Sequence, residues 1–216
     1  MARQVAHEIK NPLTPMKLQL QRLIRLKQKG DPGWEEKFDE VSRIVLDHID
    51  ILSDTANEFS EIAKLPTEEM TDIDLDALIA EEVSMFSARE GVSIEYMGLE
   101  HSVVSGPKPQ LTRVVVNLLT NAVQALEQTE NATILVSVRN SSESGFYDLV
   151  VEDNGPGVPA EHLDKLFSPN FTTKTSGSGL GLAISRSILQ RCGATISYSR
   201  SFSLGGACFT VHYPKK

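Results

Sequence analysis

Cysteine is scarce in this sequence. Cys192 and Cys208 are its two thiols in 216 residues, too few and too poorly spaced for a disulfide framework or a metal-ligand set. That scarcity fits a reducing compartment, with both thiols acting as small apolar side chains. No run approaches the roughly 18 to 20 apolar residues that span a bilayer, and the first residues lack the pattern of a secretory signal. The Asn-x-Ser/Thr triplets at Asn131, Asn140 and Asn170 therefore read as chance matches. An excess of base is missing too: the net charge of −8 argues against nucleic acid or an anionic membrane as the main partner. Internal repeats and low-complexity tracts are also absent.

What remains is ordinary globular material, 40% hydrophobic and 23% charged, long enough for one large domain or two small ones. The charge is unevenly placed. Residues 1–29 carry seven bases against Glu8 alone, a balance of +6, while residues 34–64 carry nine acids and three bases, a balance of −6. Neighbouring segments of opposite charge and similar length look made to lie against each other.

Both segments repeat apolar residues at helical spacing. Val5, Ile9, Leu13, Met16, Leu20 and Leu23 form one seam; Phe38, Val41, Val45, Ile49, Leu52, Ala56, Phe59 and Ile62 form the other. Gly30-Asp31-Pro32-Gly33 breaks the chain between them. The pattern predicts an antiparallel helical hairpin over residues 1–66. Two helices with one narrow seam each cannot enclose a core, so a dimeric four-helix bundle is the expected solution, packing on the rest of the same chain being the alternative. From residue 67 the periodicity changes. A short strand at 73–75, a helix at 75–88, strands at 92–97, 132–139 and 146–152, apolar helices at 111–126 and 180–192, and strands at 194–200 and 207–213 predict an α+β chain. Its second domain, 67–216, reads as an α/β sandwich with helices on one face of a mixed sheet.

Four clusters could carry chemistry. In His7-Glu8-Ile9-Lys10-Asn11-Pro12-Leu13-Thr14-Pro15 the core positions are Ile9 and Leu13, which places His7 and Asn11 together on an outward face. A neutral imidazole beside a carboxylate is a nucleophile with a base attached, although a surface His next to Glu is usually decoration. Pro12 and Pro15 would bend the helix, or else the helix begins at residue 12. In Asn117-Leu118-Leu119-Thr120-Asn121 two poor helix formers at i and i+4 line one stripe. Their amide oxygens suit a hard cation such as Mg²⁺, or they cap neighbouring backbone. Asp153-Asn154-Gly155-Pro156-Gly157 follows a buried strand and is either a common turn or a carboxylate that accepts from an exocyclic amine. Gly177-Ser178-Gly179-Leu180-Gly181-Leu182 leads into a helix, the arrangement that cradles phosphates. It is neither the P-loop nor the dinucleotide fingerprint, so those nucleotide folds are set aside.

Taken in order, the clusters resemble the boxes of two-component sensor histidine kinases. HEIKNPL at 7–13 is similar to the H box, NLLTNA at 117–122 to the N box, DNGPG at 153–157 to the first glycine box, Phe167–Lys174 to the F box and GSGLGL at 177–182 to the second glycine box. Gly205-Gly206 resembles the closing glycine turn. The wording of the H and N boxes most resembles the nitrogen-regulation type. The resemblance spans essentially the whole chain, and its five ordered boxes outweigh the bland readings of each one.

The resemblance implies these roles: His7 as phospho-acceptor, Glu8 as its base, and Asn11 at the position used when such kinases dephosphorylate their partner. Asn121, with Asn117, would hold Mg²⁺ against the phosphates of ATP. Asp153 would bind the adenine amine beside Gly155 and Gly157. Residues 158–179 would form a mobile lid, with Thr173, Lys174, Gly177, Gly179, Leu180, Gly181 and Leu182 near the phosphates. Family members often carry Lys three residues after the second N-box Asn; Gln124 stands there, which makes Lys174 the candidate replacement. The resemblance further implies a homodimer that phosphorylates a response regulator receiver domain. It implies a cytoplasmic location without membrane contact in this stretch, the full-length protein being anchored in the inner membrane. With His7 six residues from the start, the first helix is expected to be cut short. Two competing classes remain. Topoisomerase, mismatch-repair or chaperone ATPases share the nucleotide fold but lack the His-Glu-x-x-Asn hairpin. A docking module that only binds nucleotide would fail a turnover assay.

Overall fold

The helical spacing of the first 63 residues is realised as α1 (Ala2–Gln28) and α2 (Trp34–Ala63). The computed structural model describes residues 2–31, 33–63, 69–87, 91–169, 171–172 and 179–216, the side chains of 2–11, 50, 51 and 53–63 excepted. Pro12 and Pro15 both lie inside α1, so the helix runs past them instead of starting at residue 12. It ends at Gly30, whose φ of 67° only glycine adopts without strain. There the Gly30 N–H bonds the Lys27 carbonyl and the Asp31 N–H bonds the Leu26 carbonyl, which closes the last turn. Asp31 then accepts from the Gly33 N–H at 2.9 Å, and Lys27 Nζ lies 4.9 Å over the Trp34 ring.

Within the hairpin Met16, Leu23 and Val41 are buried. Leu13, Leu20, Ile24, Phe38, Leu46 and Ile49 remain between 43% and 59% exposed, so one hairpin leaves much of its apolar surface in water. The opposed charges leave a trace as well. Glu40 is held below the ordinary carboxylate range by its hydrogen bond to Lys37, with Arg22 of α1 contributing from the other helix.

The chain divides into two compact units, Met1–Pro66 and a second formed by Thr67–Phe171 with Gly179–Lys216. The second opens with β1 (Thr71–Asp74), which pairs antiparallel with β3 (Val103–Gly106), Thr71 opposite Gly106. A five-stranded sheet follows the order β2 (Ser93–Met97), β4 (Thr133–Asn140), β5 (Phe146–Asp153), β7 (Ala207–Pro214), β6 (Thr195–Arg200). The β2–β4 pair is parallel and the others are antiparallel, which makes the sheet mixed as expected. Three helices cover it: α3 (Leu75–Ser87), α4 (Lys108–Ala125) and α5 (Gly181–Arg191).

Alternation along β4 shows which face they cover. Ile134, Val136 and Val138 are buried while the residues between them are not. One small core void is lined jointly by Leu75 of α3, Leu111 and Val114 of α4, Leu189 of α5, and Leu149, Val211 and Tyr213 of the sheet. All three helices therefore share one face. Each large apolar side chain buried there contributes about 1.5–3 kcal/mol. Both cysteines are free thiols in this interior, and no described helix is long and apolar enough to cross a membrane.

Candidate functional site

Asn117, Asn121 and Ala125 recur at four-residue spacing and so share one stripe of α4, about 12 Å long along the axis. At the Asn117 end the stripe meets α5. Asn117 Nδ2 donates to the Ser185 Oγ at 3.0 Å, and a Cβ on Gly181 would fall 2.2 Å from Asn117 Oδ1. At the Ala125 end it meets the turn after β5, where a Cβ on Gly155 would stand 3.2 Å from the Ala125 carbonyl oxygen. Asn121 therefore lies between the start of α5 and the turn that carries Asp153.

Asp153 ends β5 and is only 3% exposed. Its Oδ1 accepts from the Gly155 N–H at 2.9 Å and from the Ala207 N–H at 3.0 Å, which fixes the carboxylate before anything binds. The glycines around it have packing reasons of their own. A Cβ on Gly206 would lie 2.2 Å from the Asp153 carbonyl oxygen, and Gly157 takes a φ of 71°. Asn154 is a staple. Its Oδ1 accepts from the Thr133 N–H at 2.8 Å, and its Nδ2 donates to the Asn131 carbonyl at 3.0 Å.

Leu180 is buried and precedes the first turn of α5, so its part in that turn is as backbone. No side chain caps this N-terminus and no acid lies in its first turn. The first-turn N–H groups and the helix dipole therefore favour an anion. Gly179 has a φ of 69°, and Leu182 lies in the first turn. Thr173, Lys174 and Gly177 fall outside the described residues. Of the expected lid, Ala160–Lys165 forms a 3₁₀ helix and Leu166 is buried. His7, Glu8 and Asn11 lie on the helical backbone of α1, with side chains outside the description.

Several contributors carried no role in the sequence reading. Ser185 orients Asn117, but a serine in an amphipathic helix gives no signal. Glu152 accepts from Ser201 Oγ at 2.7 Å and Ser203 Oγ at 3.1 Å, and so holds the turn that presents Gly206. Gly206 was visible as half of a glycine pair. Its contact with Asp153, 53 residues away in the chain, was not.

The site fits a nucleoside triphosphate with a divalent cation. A buried, fixed carboxylate stands at one end, an uncapped helix N-terminus at the other, and an amide side chain between them.

Comparison with known proteins agrees with this geometry. Residues 106–216 match the model described as the histidine kinase-, DNA gyrase B- and HSP90-like ATPase. A Rickettsia bellii protein named sensor histidine kinase NtrY-like is 32% identical over 221 residues, covering 99% of this chain and 35% of its own length. The chain thus spans about a third of that relative. Among solved structures, the catalytic domain of histidine kinase ThkA matches with 30% identity and a TM-score of 0.60, over 68% of this chain and 96% of that one. ThkA in complex with the response regulator protein TrrA matches all of this chain and 61% of its own, with 27% identity and a TM-score of 0.71.

Proposed function

Because the chain belongs to the histidine kinase-, DNA gyrase B- and HSP90-like ATPase family, we propose that it uses Mg-ATP to phosphorylate its own His7 and passes the phosphoryl group to an aspartate of a response regulator. The observation that carries the nucleotide half is the single stripe of α4 that joins the start of α5 to the turn holding Asp153. The His-Glu-x-x-Asn motif on α1 carries the acceptor half, and it separates this reading from other ATPases of the same fold.

Asp153 accepts from the exocyclic amine of adenine, and its two backbone donors keep the oxygen aimed. The first N–H groups of α5 and the backbone of Gly179 and Gly181 receive the phosphates. Asn121 and Asn117 would hold the cation, which when bound would supply charge neutralisation at the phosphates. A ring nitrogen of His7 attacks the terminal phosphorus while the bond to the ADP oxygen breaks, and Glu8 takes the proton from the other ring nitrogen. The N–P bond later breaks as a receiver aspartate oxygen bonds phosphorus. Thr173, Lys174 and Gly177 belong to the lid segment that would close over the phosphates, with Lys174 replacing the charge missing at Gln124.

The 1–66 hairpin is read as the dimerisation and phosphotransfer domain, and 67–216 as the ATP-binding domain. The exposed apolar residues of α1 and α2 support pairing of two hairpins into a four-helix bundle. Asn11 supports a further regulator phosphatase activity, since an amide one turn from His7 can orient a water without becoming charged. This stretch is read as cytoplasmic and the full-length protein as anchored in the inner membrane, in line with its resemblance to sensor kinases.

Incubation with labelled Mg-ATP tests the central claim. Wild type should gain an acid-labile, base-stable phosphoramidate that His7→Gln lacks. Label that persists in His7→Gln, or that survives acid, overturns the acceptor assignment.

A further inference from the structure

Between the turn after β5 and α5 runs a continuous aromatic ladder outside the two boxes it connects. Tyr198 of β6 accepts from the Val158 N–H at 2.9 Å, and a Cβ on Gly157 would stand 3.3 Å from its hydroxyl oxygen. This ring packs against Phe209 of β7, centroids 5.5 Å apart at 62°. Phe209 meets Phe167 edge to face at 6.5 Å and 89°. Above Phe167 lies the guanidinium of Arg186, Cζ 5.9 Å from the ring centroid. Arg186 belongs to α5, whose N-terminus faces the phosphates in the reading above.

Edge-to-face rings and a cation over a ring face are both attractive arrangements, and neither tolerates a sliding partner well. Arg186 is exposed, and among the described residues it pairs with no carboxylate that would draw it off the ring. Residues 158–169 are therefore clamped twice, by Tyr198 at the start and by the Arg186–Phe167–Phe209 stack near the end. Leu166, next to Phe167 in the chain, is itself buried.

We propose that Arg186 is a positioning residue of the nucleotide site: its guanidinium holds the Phe167 ring on Phe209, and so fixes residues 158–169 in the arrangement that receives nucleotide. This rests on the nucleotide reading of the site. Arg186 itself touches no phosphate in this scheme; it reduces the ordering that binding would otherwise require.

The test uses the full chain and two measurements. Hydrogen exchange without nucleotide should show faster exchange of amides 163–169 in Arg186→Ala than in wild type, with the rest of the domain unchanged. Calorimetry with Mg-ADP should show affinity weakened about three- to tenfold in Arg186→Ala, the span expected for one cation–ring contact. Arg186→Lys should recover most of both effects and Arg186→Met should not, which separates the charge from the packing of the stem. Phe167→Leu should weaken binding similarly, and the double variant should be no worse than either single one. Equal affinity in Arg186→Ala and wild type, or losses that multiply in the double variant, would overturn the proposal. A wild-type chain that binds no Mg-ADP would instead remove the nucleotide reading, and this role with it.

Discussion

Gly181 leaves no room above Asn117: any side chain at 181 would enter the space of the Asn117 amide oxygen, at 2.2 Å from a Cβ. The contact brings the first turn of α5 down onto the middle of α4. Gly181→Ala must therefore push the two helices apart or turn the amide away from Ser185. Overpacking of this kind costs about 1–3 kcal/mol, and the thermal midpoint should fall with Mg-ADP affinity. Adding Asn117→Ala should restore the midpoint but not the affinity. An unchanged midpoint in Gly181→Ala would show that the helices are not held by this contact.

Asp153→Asn keeps an oxygen for the Gly155 and Ala207 N–H groups, so folding should be nearly unaffected. The amide lacks the charge that strengthens a bond to an exocyclic amine. ATP affinity should fall about 10- to 100-fold, the equivalent of about 1.5–3 kcal/mol for a hydrogen bond to a charged group. Discrimination between ATP and GTP should narrow with it. Competition binding with both nucleotides checks this, and undiminished discrimination would assign adenine reading to another residue.

Asn11→Ala should keep acid-labile labelling of His7 but lose most phosphatase activity toward a phosphorylated receiver domain. Parallel assays of the two reactions decide. Equal loss of both would mean that Asn11 serves the helix backbone beside Pro15, and an unaltered phosphatase rate would end the proposal.

Ile24 lies on the exposed apolar side of α1, 55% accessible within a single hairpin. If two hairpins associate through that side, Ile24→Glu buries a charge at the joint and should shift the chain from dimer to monomer in light scattering at micromolar concentration. The ion pairs of the hairpin contribute only ~0–1 kcal/mol each, so raised salt should have a far smaller effect. A wild-type chain already monomeric would refute the bundle.

Glu82 is buried in α3, and burial raises its carboxyl above the ordinary range, with Glu81 adding to the rise and Lys108 opposing it. A raised folded-state value means that ionisation weakens the fold. That cost is fully present above the raised value and relieved as pH falls through it. Glu82→Gln should therefore increase the thermal midpoint at pH 7, and the gain should vanish toward pH 4. A gain independent of pH would place the effect in packing.

Legibility from sequence followed the range of the forces involved. Helices α1 and α2 were readable because a seam repeating every three or four residues has no other stable outcome, and the five long strands because their apolar residues alternate or, as in β5, run continuously. The β3 strand was not read. Four residues give too little alternation, and its partner β1 lies some thirty positions earlier, so its identity comes only from the pairing of Ile73 with Val104. In the site, the motif residues of α4, β5 and α5 were visible as types out of place: two asparagines in an apolar helix, glycines at a helix start. Their supports were not. Ser185, Glu152 and Tyr198 are unremarkable in their own segments and acquire a role only through contacts 40 to 68 residues distant.

The small β1–β3 ladder has a mechanical consequence. Both its strands lie outside the sheet that ends in Asp153, and β1 is the first element of the domain to follow the hairpin. The Lys216 ammonium grips Asp72, and the Lys216 N–H donates to the Val103 carbonyl at 3.2 Å, which braces the ladder from the far end of the chain. Tension arriving along the backbone ahead of Thr71 is therefore borne first by four residue pairs and one ionic clasp. The ladder stands between that load and the strand that ends in Asp153.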